Sequence, residues 1–198
     1  MLSAMLWIAL AGSTTHAAPD RAVRTVSVQL RGEVNVSPAT LFGARADVTR
    51  LFRDAGVDLR WVSSGAEIVL ELCVGRDARV LATSRHTLGQ AVIDSDTHTG
   101  RLAYVFPERI SDVATVAGLE PPSILGHVMA HEIAHLLGVV HAEGGLMRAG
   151  WMRPELTLVS YGLLDFSPAE REVLRQTPAH EQQRPLHLID HARRGIRP

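Results

Sequence analysis

The sequence predicts an α+β protein built on one mixed β-sheet. Five short stretches have the apolar or alternating character of strands, and longer stretches with helical spacing lie between and after them. The chain has 198 residues, enough for one domain with a substantial core, or at most two small lobes. Its formal net charge of −1 favours neither nucleic acid nor an anionic surface as a partner.

The first predicted strand covers residues 25–31, where apolar and polar side chains alternate. Ser37 then has the properties of a helix N-cap, and Pro38 those of the first helical residue. Apolar residues follow at helical spacing until Gly56, which is a natural C-terminal stop. A helix is therefore expected between the first and second strands.

Four more strands are predicted, at residues 58–62, 67–74, 88–93 and 102–106. The order strand, helix, strand, strand fits a right-handed crossover that opens a mixed sheet. A polar turn at residues 94–100 separates the last two strands and predicts a hairpin.

The second half of the chain contains two helix starts. Residues 107–120 are expected to be irregular or to form a short helix, and Pro121 opens a longer one. Further on, Ser167 and Glu170 form a capping box with Pro168 at the first helical position, so a helix should run to about Gln176.

The longer helix carries a histidine motif at residues 131–141, His-Glu-Ile-Ala-His-Leu-Leu-Gly-Val-Val-His. Two histidines four positions apart, His131 and His135, lie on one helix face. Neutral imidazoles are good zinc ligands. Glu132 follows the first ligand, where it can reach a metal-bound water without binding the metal.

The rest of the motif predicts an open zinc site. Gly138 comes three residues after His135, where a residue with positive φ could end the helix. The chain could then turn back and bring His141 in as a third ligand. Three protein ligands leave the fourth position to water, as in catalytic rather than structural zinc sites. His127, one turn before His131, is interpreted as a surface residue or a supporting neighbour of the site.

With a methionine shortly after the third histidine, Met147, this stretch resembles the metzincin metallopeptidases, whose motif is HExxHxxGxxH plus a methionine turn. It looks most like small secreted bacterial metzincin-like or matrixin-like proteins. The resemblance implies a zincin fold: a twisted five-stranded sheet with two helices, the active-site helix, and a small C-terminal lobe with one helix. The upper lobe would extend to about residue 138 and the lower lobe over residues 139–177.

The resemblance also implies an activity, peptide-bond hydrolysis by a water that zinc activates, with one catalytic zinc ion and Glu132 as general base. A peptide or protein substrate would bind as an extended strand beside residues 88–93. Trp151 and Tyr161 are candidates for the substrate pocket, although core packing explains both residues equally well. Tyr161 is also weighed as an oxyanion donor.

Two other functions stay open. One is a zinc-binding module without peptidase activity, for which Glu132 would be unnecessary. The other is a zinc hydrolase whose third ligand is acidic, Glu143 or Glu155, in place of His141.

The remaining features concern the protein's localisation, oligomeric state, cysteine and possible calcium binding. Residues 1–18 resemble an export signal, which predicts an extracellular or periplasmic protein, and residues 178–198 are expected to be a flexible tail. No membrane-spanning segment is expected, and the protein is expected to be a monomer. Cys73, the single cysteine, is interpreted as a buried core thiol. Aspartates in the turn at 94–100 hint at calcium, but a solvated turn is favoured.

Overall fold

The computed structural model describes residues 23–32, 36–82, 84 and 86–177. The predicted export signal and C-terminal tail lie outside the described residues. Five strands and six helices are found in the described part of the chain, in the order β1 Arg24–Arg31, α1 Pro38–Asp54, β2 Val57–Trp61, β3 Ile68–Leu72, α2 Gly75–Leu81, β4 Gly89–Val92, β5 Leu102–Val105, α3 Pro107–Ala117, α4 Pro121–Leu136, α5 Arg153–Ser160 and α6 Pro168–Gln176.

The five strands form a single mixed sheet in the order β2-β1-β3-β5-β4. The pairs β1–β2, β1–β3 and β3–β5 are parallel, whereas β4 runs antiparallel to β5. The prediction of a five-stranded mixed sheet that ends in a hairpin is therefore confirmed. Its consequence for the site is that β4 is an edge strand.

Local capping signals begin helices α1 and α6 at the residues that the sequence predicted. The Ser37 hydroxyl accepts a hydrogen bond from the Thr40 N–H at 3.1 Å, which satisfies one of the free donors at the start of α1. At α6, the Ser167 N–H donates to the Glu170 carboxylate at 2.7 Å, and the Glu170 N–H donates to the Ser167 hydroxyl at 3.3 Å. This reciprocal capping box begins α6 at the predicted position.

The main core lies between α1, α4 and the sheet. Helices α1 and α4 pack against each other, α1 contacts β2, and α4 contacts β3, β4 and β5. Helix α4 is buried around most of its circumference, including the side that carries the histidines. A smaller apolar cluster joins α2 to the start of α3 through Cys73, Ala78 and Phe106. Cys73 is therefore a buried thiol, as predicted.

The structure corrects the expected number of helices. Helix α2 was not predicted, α3 is an 11-residue helix where irregular chain or a short helix was expected, and the lower lobe after Gly138 has α5 as well as α6. Helix α5 shows why a helix could be missed. Its N-cap is Met152, which has no typical capping side chain, and the Glu155 carboxylate accepts the Met152 N–H at 2.9 Å instead. Within the described residues, no helix has the length and apolar character needed to cross a bilayer.

Candidate metal centre

Three imidazoles converge where α4 ends. Helix α4 supplies His131 and His135, and Gly138, with a φ of 88°, lets the chain leave the helix in a left-handed turn. His141 then returns to the same place. The His135 Nε2 lies 3.0 Å from the Nε2 atoms of both His131 and His141, and one ligand atom from each residue lies within 4.8 Å of the others.

Backbone carbonyls orient two of these rings. The Nδ1–H of His131 donates to the Leu146 carbonyl at 2.8 Å, and that of His135 donates to the Val139 carbonyl at 2.7 Å. A neutral imidazole that donates through Nδ1 carries a lone pair on Nε2. The two Nε2 atoms therefore face each other as acceptors, which is an unfavourable arrangement that a cation between them would relieve.

This donor set fits zinc. Zinc–nitrogen bonds of about 2.0–2.1 Å in tetrahedral geometry separate the ligand nitrogens by about 3.3–3.4 Å, so the observed spacing requires only a small expansion. Two of the ligands, His131 and His135, are also in the required protonation state. Burial, and secondarily the neighbouring His135, lowers the pKa of His131 to about 3, and burial lowers the pKa of His135. Both rings are thus neutral near pH 7 and free to bind a metal.

Glu132 lies beside this group and is only 5% exposed. Burial raises the pKa of its carboxyl to about 8, and a hydrogen bond from the Ala91 backbone acts in the opposite direction. Ala91 belongs to β4, so the carboxylate spans the gap between the helix and the edge strand. A carboxylate with a raised pKa beside a cluster of metal ligands is typical of a proton-transfer group.

The segment after His141 closes the lower side of the site. The Ala142 N–H donates to the Met147 carbonyl at 2.9 Å, which forms a tight loop. Leu146 and Met147 are fully buried in the main core, and the Leu146 carbonyl accepts the bond from His131. The predicted methionine turn thus places Met147 in the core directly after the residue that orients a ligand.

A cleft of about 750 Å³ opens over the imidazoles and Glu132. Strand β4 and the segment before it form one wall of the cleft, and α4 and the loop that leads into α5 form the other. Trp151 lines this cleft. Tyr161 does not: it follows the end of α5 and is 72% exposed, so its predicted place in the pocket is not supported.

Of the two interpretations of His127, a surface residue is wrong, because it is 1% exposed, and a supporting neighbour of the site is the one that agrees with its contacts. Its Nδ1–H donates to the Ser123 carbonyl at 2.7 Å, and its ring meets the Trp151 ring edge-on with 6.4 Å between centroids. Burial lowers its pKa. Helical spacing alone put His127 on the same side as His131, but segments distant in sequence cover it.

The acidic alternatives to His141 are not in the cluster. The Glu155 carboxylate accepts hydrogen bonds from Arg148 at 3.2 Å and from the Met152 N–H, so both of its oxygens are engaged. Glu143 is exposed. In the described part of the chain, the one group of three histidine, cysteine or acidic side chains that could hold a metal is His131, His135 and His141.

Several groups at the site were missed because they act through the backbone. They are the Leu146 carbonyl, the Val139 carbonyl and the Ala91 N–H. Gly89, which lies against Glu132, was also missed. A glycine at the start of a predicted edge strand was the only signal in the sequence that could have pointed to it.

No protein-family model matches this chain, and no curated protein matches it by sequence. Among solved structures, it is similar to archaemetzincin from Methanopyrus kandleri, with 16% identity, a TM-score of 0.48 and coverage of 81% of this chain and 98% of that chain. It is also similar to metalloproteinase-II from Bacteroides fragilis, with 16% identity, a TM-score of 0.45 and coverage of 77% and 53%, respectively. Similarities this partial do not support a function by themselves.

Proposed function

We propose that this protein is a secreted zinc-dependent endopeptidase of the metzincin type. The observation that carries the proposal is the convergence of three imidazoles from one motif, with a buried carboxylate beside them in an open cleft. The apolar run followed by small residues within 1–18 supports the export part of the proposal.

His131, His135 and His141 would hold the zinc through their Nε2 atoms. A zinc ion bound there supplies Lewis acidity, which polarises a carbonyl and lowers the pKa of a coordinated water. The carbonyls of Leu146 and Val139 hold two of the rings in the tautomer that this binding needs.

Glu132 would move the proton. Its carboxylate would accept a proton from the attacking water and then deliver it to the nitrogen of the departing amine, so the side chain returns to its ionised form at the end of the cycle. Burial favours the protonated form, whereas the Ala91 N–H favours the ionised form, as a cation held by the three imidazoles would. These opposing influences place the carboxyl near the neutral range in which a proton can be both accepted and released.

The cleft supports an extended substrate. It runs along β4, whose free edge can pair with a peptide backbone, while apolar side chains on the walls can accept substrate side chains. The larger apolar residues among the lining are Leu88, Ile93, Val113, Val128, Trp151 and Leu156.

The test is Glu132→Ala, measured for zinc content and for cleavage of a peptide library. We expect bound zinc to be unchanged, because Glu132 is not a ligand, and turnover to fall by about 10²–10⁴-fold, the usual contribution of a general base. Glu143→Ala is the matched control, since Glu143 is an exposed carboxylate in the adjacent loop, and it should behave as the wild type. Stoichiometric zinc without cleavage by the wild type would favour a zinc-binding module instead.

A further inference from the structure

We propose that the β4 backbone at Gly89 and Ala91 positions the Glu132 carboxylate, and that residue 89 must be glycine for this purpose. The proposal rests on the function proposed above, because it concerns how the general base of that reaction is held. It makes Gly89 and Ala91 positioning residues and adds a second role to an edge strand that would also bind substrate.

The hydrogen-bond pattern of the hairpin shows which backbone groups of β4 face the free edge. The Phe106 N–H donates to the Leu88 carbonyl at 2.9 Å, so these two residues form a hydrogen-bonded pair. In an antiparallel ladder such pairs alternate with pairs that do not share hydrogen bonds. With Gly89 opposite Val105 and Ala91 opposite Ala103, the backbone groups of Gly89 and Ala91 point away from β5.

Because β4 is the last strand of the sheet, no strand among the described residues takes up these outward groups. The Ala91 N–H instead forms a hydrogen bond with the Glu132 side chain. A bond from a backbone N–H to a carboxylate is strengthened by the charge of the acceptor. This bond therefore holds the carboxylate in place against β4.

Gly89 provides the space for this arrangement. A Cβ atom at position 89 would lie 2.6 Å from both the Cγ and the Oε1 of Glu132, and 2.8 Å from its Cδ. Real Cβ atoms essentially never approach other atoms that closely. Gly89 does not have the positive φ that favours glycine elsewhere, so its requirement is for space and not for backbone conformation.

An alanine at position 89 should displace the base without unfolding the protein. The atoms it would meet belong to a side chain that can rotate, and alanine is acceptable in an edge strand. The lowest-cost response is for the Glu132 carboxylate to leave the Ala91 N–H. Misplacement of a catalytic group by about 1 Å can cost on the order of 10²-fold in rate.

The first measurement is steady-state kinetics of the zinc-loaded full chain with the Gly89→Ala substitution. We expect kcat to fall by about 10- to 100-fold, with KM within about twofold of wild type and with zinc content unchanged. Gly144→Ala is the matched control: Gly144 lies in an exposed loop, a Cβ there would meet nothing within 4 Å, and its kinetics should equal those of the wild type.

The second measurement does not depend on activity. Residue-resolved amide exchange should show the Ala91 N–H protected in the zinc-loaded wild type and exchanging faster, to a similar degree, in Gly89→Ala and Glu132→Ala. The Phe106 N–H, which bonds to Leu88 within the sheet, serves as the internal reference and should not change. Unchanged protection of Phe106 would also show that the hairpin is still folded.

The two measurements separate failure of this proposal from failure of the proposed function. A wild type that cleaves no peptide while Ala91 loses protection in both variants would refute the peptidase function and leave the positioning contact intact. Normal kcat in Gly89→Ala, or equal Ala91 exchange in wild type and both variants, would overturn the positioning role.

Discussion

His131 and Trp151 donate hydrogen bonds to the same acceptor, the carbonyl oxygen of Leu146. The imidazole Nδ1 lies 2.8 Å from that oxygen and the indole Nε1 lies 3.1 Å from it. The two rings also meet edge-on, with 6.3 Å between their centroids. A residue predicted only as a candidate pocket wall is thus coupled to the orientation of a metal ligand.

Trp151→Phe should weaken zinc binding. The substitution keeps an aromatic ring in the cleft but removes the N–H that helps to hold the Leu146 carbonyl in place. Loss of a group that directly orients a ligand typically costs about 10–100-fold in metal affinity, so we expect an effect near or below the lower end of that range. Competition with a chromophoric chelator measures it.

Trp61→Phe is the matched control for this experiment. The Trp61 indole also donates a hydrogen bond, to the Thr49 hydroxyl at 3.1 Å, but this contact joins β2 to α1. Its removal should leave zinc affinity unchanged. An equal loss of affinity in both variants would indicate a general effect on stability and would count against the coupling through Leu146.

His141→Ala should reduce zinc binding, whereas Glu155→Ala should reduce thermal stability without loss of zinc. The first removes one of three ligands and should reduce zinc to well below one equivalent per chain. The second should retain zinc but lower the melting temperature, because Glu155 caps α5 and pairs with Arg148; a loss of 1 kcal/mol corresponds to about 2–4 °C for a domain of this size. Zinc analysis and thermal denaturation measure both, and zinc loss in Glu155→Ala alone would identify an acidic ligand.

The stability of the chelator-treated protein should decrease above about pH 7. Burial raises the pKa of Glu132 from 4.5 to about 8, so the folded state binds more protons than the unfolded state between these values, and stability falls as pH rises. The lowered pKa values of His127, His131 and His135 have the opposite effect, which is mostly complete by pH 7 because unfolded histidines titrate near pH 6.5. From pH 7 to 8 the net loss should be on the order of 0.5–1 kcal/mol.

Glu132→Gln tests the origin of this pH dependence. The amide does not titrate, so denaturant unfolding of the chelator-treated variant should show no decrease in the free energy of unfolding between pH 7 and pH 8. A wild-type decline that persists in the variant would assign the pH dependence to a different group.

Cys73 should not react with a thiol reagent in the native state. Its side chain is buried with Ala78 and Phe106 in the cluster between α2 and the start of α3. We expect labelling only at the rate at which that cluster opens, and full labelling in denaturant. Rapid native-state labelling would contradict the burial of this thiol.

Local signals predicted the parts of this protein that depend on residues near one another in sequence. Ser37 and Ser167 cap helices because a hydroxyl three residues before a free N–H can reach it without help from the rest of the fold. The spacing of His131 and His135 likewise follows from one turn of helix. Helix α5 was missed because its capping carboxylate, Glu155, follows a methionine that gives no recognisable start.

The sequence by itself determined the identity and order of the three imidazoles and the carboxylate, since one helix and one turn bring them together. Only the tertiary structure decided what surrounds them. The burial of His127, the outward Ala91 N–H and the space at Gly89 depend on segments far apart in the chain. Backbone carbonyls and amides are the same in every residue, so no sequence pattern distinguishes the Leu146 carbonyl that orients His131 until folding brings the two together.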